Sequence, residues 1–411
     1  MAQFDLKGSK RKDKDIEKNK EKKEKQEKVK KVSKAPALPK MAKPQRAKSI
    51  PPFVTLDIGS REVKVMVASY RGKEIAVKQV ASSALPEGAV HDGKIIEFDQ
   101  VLNCISSIMA MNKIKVTGAV VTIGSSEVVQ REIIVPKVPN NDLKGLVVYE
   151  VGKFLPIDPA SYSIQYDVLE EFESDGGALQ LKLNVSAMPK EMAKRYLDLV
   201  LKLSLKPIAL DVHSNSVAKL VSAEAKFGSP LASGSTIVID MGYAHFNAML
   251  FNNGRLLFNR ILDVGASRLD EIIMNATEVS LDEADGLKKY NLSRLSAHEL
   301  YAAHVSGGGY GNSSNREEAV TQEVMSAFES WVSAVDGLVK YYLSRSEENT
   351  VDAIYLYAGS SNIRCIDSLL ENTLKIKTKK LSSLSCLTGA LDNDSEGIPK
   401  YINNLGATIR F

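Results

Sequence analysis

The chain has 411 residues, 44% hydrophobic and 25% charged, proportions of a globular protein of two or three domains that needs no staples to build its core. Three scattered cysteines (Cys104, Cys365, Cys386) lack metal-ligand spacing and fit a reducing compartment, no uncharged apolar run reaches eighteen residues, and the polar N-terminus has no apolar signal core. The net charge of +4 hides an asymmetry: residues 1–50 hold 18 Lys+Arg against 7 Asp+Glu, so the rest of the chain is acidic on balance.

Residues 1–34 are Lys/Glu low complexity and 35–52 carry Pro36, Pro39, Pro44, Pro51 and Pro52. A disordered basic tail and an extended linker are expected. The tail reads either as a solubilising arm or as a contact for anionic lipid, worth about 1 kcal/mol per basic residue near the surface. It has no apolar stripe for insertion, and nothing after it supports nucleic-acid binding.

Residues 53–68 (FVTLDIGSREVKVMVA) alternate apolar and polar positions on both sides of Gly59-Ser60, which predicts a β-hairpin. Such a turn can cradle an anion with its amides, and Asp57 at its mouth suits a hydrated Mg²⁺. An Asp-x-Gly is also a common plain turn. A strand over Ile75–Ala84, an amphipathic helix over 98–112 and strands over Ala119–Ile123 and Val128–Val135 follow. A helix over 143–154, paired strands over Ser163–Leu169 and Leu179–Ala187, and a helix from Pro189 to Leu203 come next. The block 131–205 reads as a small inserted α+β subdomain.

Pro207–Asp211 returns as a strand, then a helix over 214–227. Thr236–Asp240 is a second apolar strand ending in Asp-x-Gly, continued by a hairpin over Phe246–Phe251 and Arg255–Leu262. Helices are expected over Ser267–Ala276, Leu281–Tyr290 and 322–344, with a Gly/Ser-rich loop over Ser306–Asn315. A buried strand over Val351–Tyr357 leads through Ala358-Gly359-Ser360-Ser361 into a helix from Ile363 to Leu370. Such a turn can admit a phosphate or a flat ligand. No P-loop, zinc spacing or nucleophile elbow occurs. Two strand-borne Asp-x-Gly turns and a late Gly-Ser-Ser turn, in that order, remain.

That triple resembles the actin, sugar kinase and heat-shock ATPase superfamily. Within it the chain is similar to the PilM family of type IV pilus assembly proteins, relatives of the division protein FtsA. The likeness runs from Phe53 to the C-terminus, through LDIGSREVKVMVA, ALPEGAVHDGKI, REIIVPKVPNNDL, VYEVGKFLPID, KPIALDVHSNSVAKL, IVIDMGYAHFNAMLF, LDEADGLKK, LYAGSSNIRCID and LGATIRF. It implies an α/β, actin-like (ribonuclease H-like) fold of two domains. Residues 53–130 with 206–232 would form the first, 131–205 the inserted subdomain and 233–411 the second.

The resemblance also implies ATP, as a Mg²⁺ complex, between the domains. Asp57 and Asp240 would hold the metal through water. Gly59, Ser60, Arg61, Lys64, Gly242 and Tyr243 would border the phosphates. Asp285 and Lys288 would touch the ribose or adenine edge, and Gly359, Ser360 and Ser361 the adenosine. Asp211 sits where relatives carry a group near the attacking water, and a structural Asp is the alternative. Tyr243, His245 and Phe246 are bulkier than the family's second turn, so ATP binding with at most slow hydrolysis is expected. The implied role is a cytoplasmic component, peripheral at the inner membrane face, of the pilus platform that serves pilus biogenesis and twitching motility. It would grip the cytoplasmic N-terminal segment of PilN beside the inserted subdomain, among other platform and motor proteins. An FtsA-like filament-forming membrane tether and a small-molecule kinase are the alternatives. Against the tether, the sequence stops at Arg410-Phe411 without an amphipathic helix.

Overall fold

The computed structural model describes residues 52–154, 158–174, 176–281, 283–284, 316–389, 391 and 397–410. The basic tail and all of the linker but Pro52 lie outside them. So do Asp285 and Lys288, most of the helix expected over 281–290, and the stretch 306–315.

The chain begins with an antiparallel meander of β1 (Phe53–Ile58), β2 (Glu62–Arg71) and β3 (Glu74–Ala84). A short pair, β4 (Val90–His91) and β5 (Lys94–Ile95), follows. α1 (Phe98–Met111) then lays Val101, Ile105 and Ile108 into the core at helical spacing. β6 (Gly118–Ile123) joins β1 in parallel. Every residue of β1 and β6 is buried, as central strands covered on both faces require.

β7 (Val129–Pro136), α2 (Asn140–Phe154), β8 (Tyr162–Glu173) and β9 (Leu179–Pro189) form the inserted unit. Its three strands run in the order β7-β9-β8, and Leu143, Val147 and Val151 of α2 pack on Leu181, Leu183 and Val185 of β9. α3 (Lys190–Lys202) leads back to β10 (Lys206–Val212), which is parallel to β6 and runs straight into α4 (His213–Ala225).

The second half repeats the plan with β11 (Ser235–Met241), β12 (Phe246–Asn252), β13 (Arg255–Leu262), α5 (Ala266–Thr277), α6 (Arg316–Leu343), β14 (Ala353–Tyr357), α7 (Ile366–Leu374) and β15 (Thr378–Lys380). Its sheet order, β13-β12-β11-β14-β15, matches β3-β2-β1-β6-β10 of the first. Phe246, Phe328 and Trp331 centre its core, with the Phe246 and Trp331 rings 4.9 Å apart. No helix among the described residues is long and apolar enough to cross a membrane.

The chain then returns to the first half. β16 (Leu387–Thr388) pairs with β3, and α8 (Ile402–Thr408) packs against α4, β1, β2 and β6. The expected boundary gave all of 233–411 to the second domain. Two contacts explain the return. The Asn404 amide donates to the Thr55 carbonyl at 3.1 Å, and Gly406 sits so close to α4 that a Cβ would lie 2.0 Å from the Ser216 carbonyl oxygen. Met66, Val217, Leu220, Met249, Phe251 and Leu405 form one core cluster that joins the two sheets.

Candidate functional site

A cleft of about 530 Å³ lies where the β1–β2 and β11–β12 turns face each other. Asp57 and Asp240 stand at its floor, both buried, near the ends of β1 and β11. His213, the first residue of α4, lies between them. Its Nε2 is 2.9 Å from Asp57 Oδ1 and its Nδ1 is 3.2 Å from Asp240 Oδ2. Lys64, directly across the hairpin from Asp57, donates to Asp57 Oδ2 at 3.2 Å. The Asn403 amide donates to Asp240 Oδ2 at 3.2 Å and to Asp57 Oδ2 at 3.5 Å. The Tyr357 hydroxyl is 3.1 Å from Asp240 Oδ2 and 2.9 Å from Asn403 Oδ1, so its one hydrogen serves two acceptors.

Burial alone pushes the Asp57 carboxyl up, but Lys64 and His213 outweigh it and hold the group well below the usual carboxylate range. Burial likewise works against a charge on His213, and a helix N-terminus disfavours a cation. The facing Asp57 and Asp240 carboxylates nevertheless push the imidazole up to about 9. Lys64 is raised against its own burial by Asp57, and Asp240 is lowered against its burial by His213. The floor is thus a closed charge network whose members keep one another ionised.

The sequence predicts Mg²⁺ at Asp57 and Asp240. Mg²⁺ demands oxygen ligands and retains its waters. In the structure three of the four carboxylate oxygens already accept hydrogen bonds from His213, Lys64 or Asn403. No cluster of three or more His, Cys, Asp or Glu among the described residues is arranged to hold a metal. A metal between the two carboxylates does not fit this arrangement, because an imidazole fills that position.

Around this floor the cleft is bordered by Gly59, Ser60, Arg61 and Lys64 from the first turn, by Gly242 and Tyr243 from the second, and by Gly359 and Ser360. The Gly59 amide is spent on the Glu62 carbonyl at 3.0 Å and closes the turn. Ser361 is not among the lining residues; it is buried and its hydroxyl donates to the Ala358 carbonyl at 2.6 Å. The bulky second turn has defined partners. The Arg61 guanidinium lies 5.5 Å from the Tyr243 ring centroid, His245 Nδ1 is 3.8 Å from Asp92, and Phe246 belongs to the core.

Asp211 does not line the cleft. One of its oxygens accepts from Asn215 at 2.6 Å, the other from Lys219 at 2.6 Å and Arg410 at 2.8 Å. These bonds tie Arg410 to α4 through Asp211, which is the structural alternative named for this residue and places it outside the cleft lining. The residues that sequence reasoning missed are His213, Tyr357, Asn403 and Lys400, which pairs with Glu62 at 2.8 Å beside the cleft. His213 had a readable signal: it follows β10, and α/β sheets gather ligands at the carboxyl ends of parallel strands.

A family model for type IV pilus assembly protein PilM matches residues 55–298, more than half of the chain. Among solved structures, the chain is similar to a PilM-PilN type IV pilus biogenesis complex. The TM-score is 0.69 at 19% identity, over 89% of this chain and 98% of that one. It is also similar to the ethanolamine utilization protein EutJ from Carboxydothermus hydrogenoformans, with a TM-score of 0.50 at 12% identity, over 87% of this chain and 89% of that one. The fold is therefore actin-like, with two α/β halves and an inserted α+β unit.

Proposed function

The chain belongs to the PilM family of type IV pilus assembly proteins, and on that premise we propose that it is an ATP-binding component of the pilus inner-membrane platform whose nucleotide cleft lies at Asp57 and Asp240. The observation that carries this reading is the convergence of two distant acidic turns on one cleft, tied through His213 and Asn403. Lys64, Ser60 and Arg61 on one side and Tyr243 on the other would border the phosphates. Gly359 and Ser360, in a 3₁₀ turn that follows β14, would border the nucleoside.

The partner would be the cytoplasmic N-terminal segment of PilN, a reading supported by the likeness of this fold to a PilM-PilN complex. A second cavity, of about 680 Å³, supports a place for it. It lies between the outer face of the inserted sheet (Gln130, Asp167, Asn184), α4 and the β12–β13 hairpin. Arg255 of that hairpin reaches Glu132 at 3.8 Å and Glu170 at 3.9 Å, so both halves border the cavity. Nucleotide would set the angle between the halves and thereby the shape of this groove. It can shift that equilibrium only by its differential affinity for the two states. The protein would act in the cytoplasm, peripherally at the inner membrane face, beside other platform and motor proteins, with the basic tail available to anionic lipid.

Fluorescence anisotropy of a labelled PilN N-terminal peptide, with and without ATP, tests this. Tighter binding with ATP is expected. No binding in either condition would remove the partner assignment, and equal binding in both would remove the nucleotide dependence.

A further inference from the structure

We infer that His213 supplies from the chain itself the positive charge that a divalent cation would supply between Asp57 and Asp240, so that the cleft takes a nucleoside triphosphate without a divalent metal. This rests on the nucleotide reading above.

Four observations carry it. First, the two ring nitrogens face different carboxylates, at 2.9 Å and 3.2 Å. An ionised carboxylate only accepts hydrogen bonds, so the imidazolium, with a hydrogen on each nitrogen, is the form of the ring that satisfies both. Second, the ring has a made seat. Gly124, just past the end of β6, lies against it, and a Cβ there would come within 2.7 Å of Nδ1. Third, Asn403 bridges the same two carboxylates through its amide, so the pair is held at a spacing set by side chains. Fourth, Arg61, Lys64, Arg364 and Lys400 also border the cleft and make its wall cationic, Lys64 while paired with Asp57 and Lys400 while paired with Glu62. A dication placed between the turns would meet His213 and Lys64 at contact range, where like charges repel strongly.

Two measurements decide it. Binding of a fluorescent ATP analogue to the full chain is followed in excess EDTA and in millimolar Mg²⁺. Removal of metal is expected to weaken wild-type binding by less than about tenfold, or 1.4 kcal/mol, and a larger loss overturns the inference. Separately, nucleotide-free protein is titrated with Mn²⁺ and followed by electron paramagnetic resonance. His213→Ala and His213→Gln are expected to bind Mn²⁺ at least about tenfold more tightly than wild type, since each uncovers two carboxylates. Equal binding by wild type and variants overturns the inference. Should the analogue fail to bind under any condition, the nucleotide reading itself is overturned, and the Mn²⁺ titration still decides whether His213 holds the cation position. The wild-type arm needs no variant to fold.

Discussion

Asp57 and Asp240 end equivalent strands of two sheets with the same topology, and their immediate neighbours differ. Across its hairpin Asp57 faces Lys64, whereas Asp240 faces Asn247. Asp57 is therefore neutralised within one hairpin. Asp240 depends on groups brought from elsewhere: His213 from α4, Tyr357 from β14 and Asn403 from α8. Asn247, also at the cleft, is buried with its side-chain oxygen unpartnered among the described residues. One backbone frame thus carries one carboxylate satisfied locally and one satisfied only by the assembled fold.

Removing each carboxylate tests that contrast. Asp57→Ala leaves Lys64 and His213, both largely buried, short of a counter-charge. A loss of about 3–5 kcal/mol in urea-unfolding free energy is expected, the range for breaking a buried ion pair from one side. Asp240→Ala leaves His213 still paired with Asp57 and otherwise frees the neutral donors Asn403 and Tyr357. About 1–3 kcal/mol is expected there. If Asp240→Ala proves the more damaging, the local pair does not dominate.

The shared histidine gives a pH signature. Its folded-state value is raised to about 9 from an ordinary 6.5, so a proton on it favours the folded chain. That stability is fully present below about 6.5 and drains as pH climbs through about 9. The Tm of wild type should fall over this window, and that of His213→Gln should fall less. A variant Tm that tracks wild type would show that another group drives the change. The smallest effect is expected for Tyr243→Ala, which removes the ring beneath Arg61. About 0.5–1 kcal/mol of stability should go, read by the same denaturation.

Much of this was legible in the residues. The β1–β2 hairpin announced itself by period-two alternation around Gly59-Ser60, and β11 by an apolar run ending in Asp-x-Gly. The stripe Val324, Phe328, Trp331, Val335 and Leu338 marked α6, although the helix begins at Arg316, ahead of the expected 322, because its first turns are polar and carry no stripe. β8 likewise runs on to Glu173, past the expected Leu169, since a largely exposed strand need not alternate. What could not be read was long-range. α8 is seven residues of mixed polarity whose helix is stabilised by burial against α4, and propensity alone says nothing of it. Asn403 and Tyr357 become site residues only when α8 and β14 meet β1 and β11. The place of His213 after β10 was readable, but its pairing was not, because Asp57 lies 156 positions before it and Asp240 stands on a strand of the other sheet.

The seating of α8 bears on biosynthesis. Chains emerge from the ribosome N-terminal end first. Hairpin β1–β2, with its Asp57–Lys64 pair, can form early, but Asn403 and the backbone of Gly406 arrive hundreds of residues later. A nascent polypeptide arrested before residue 402 would carry both acidic turns and the His213 bridge but lack the Asn403 bridge and the seat of α8, so the finished cleft would be acquired only once α8 has been made.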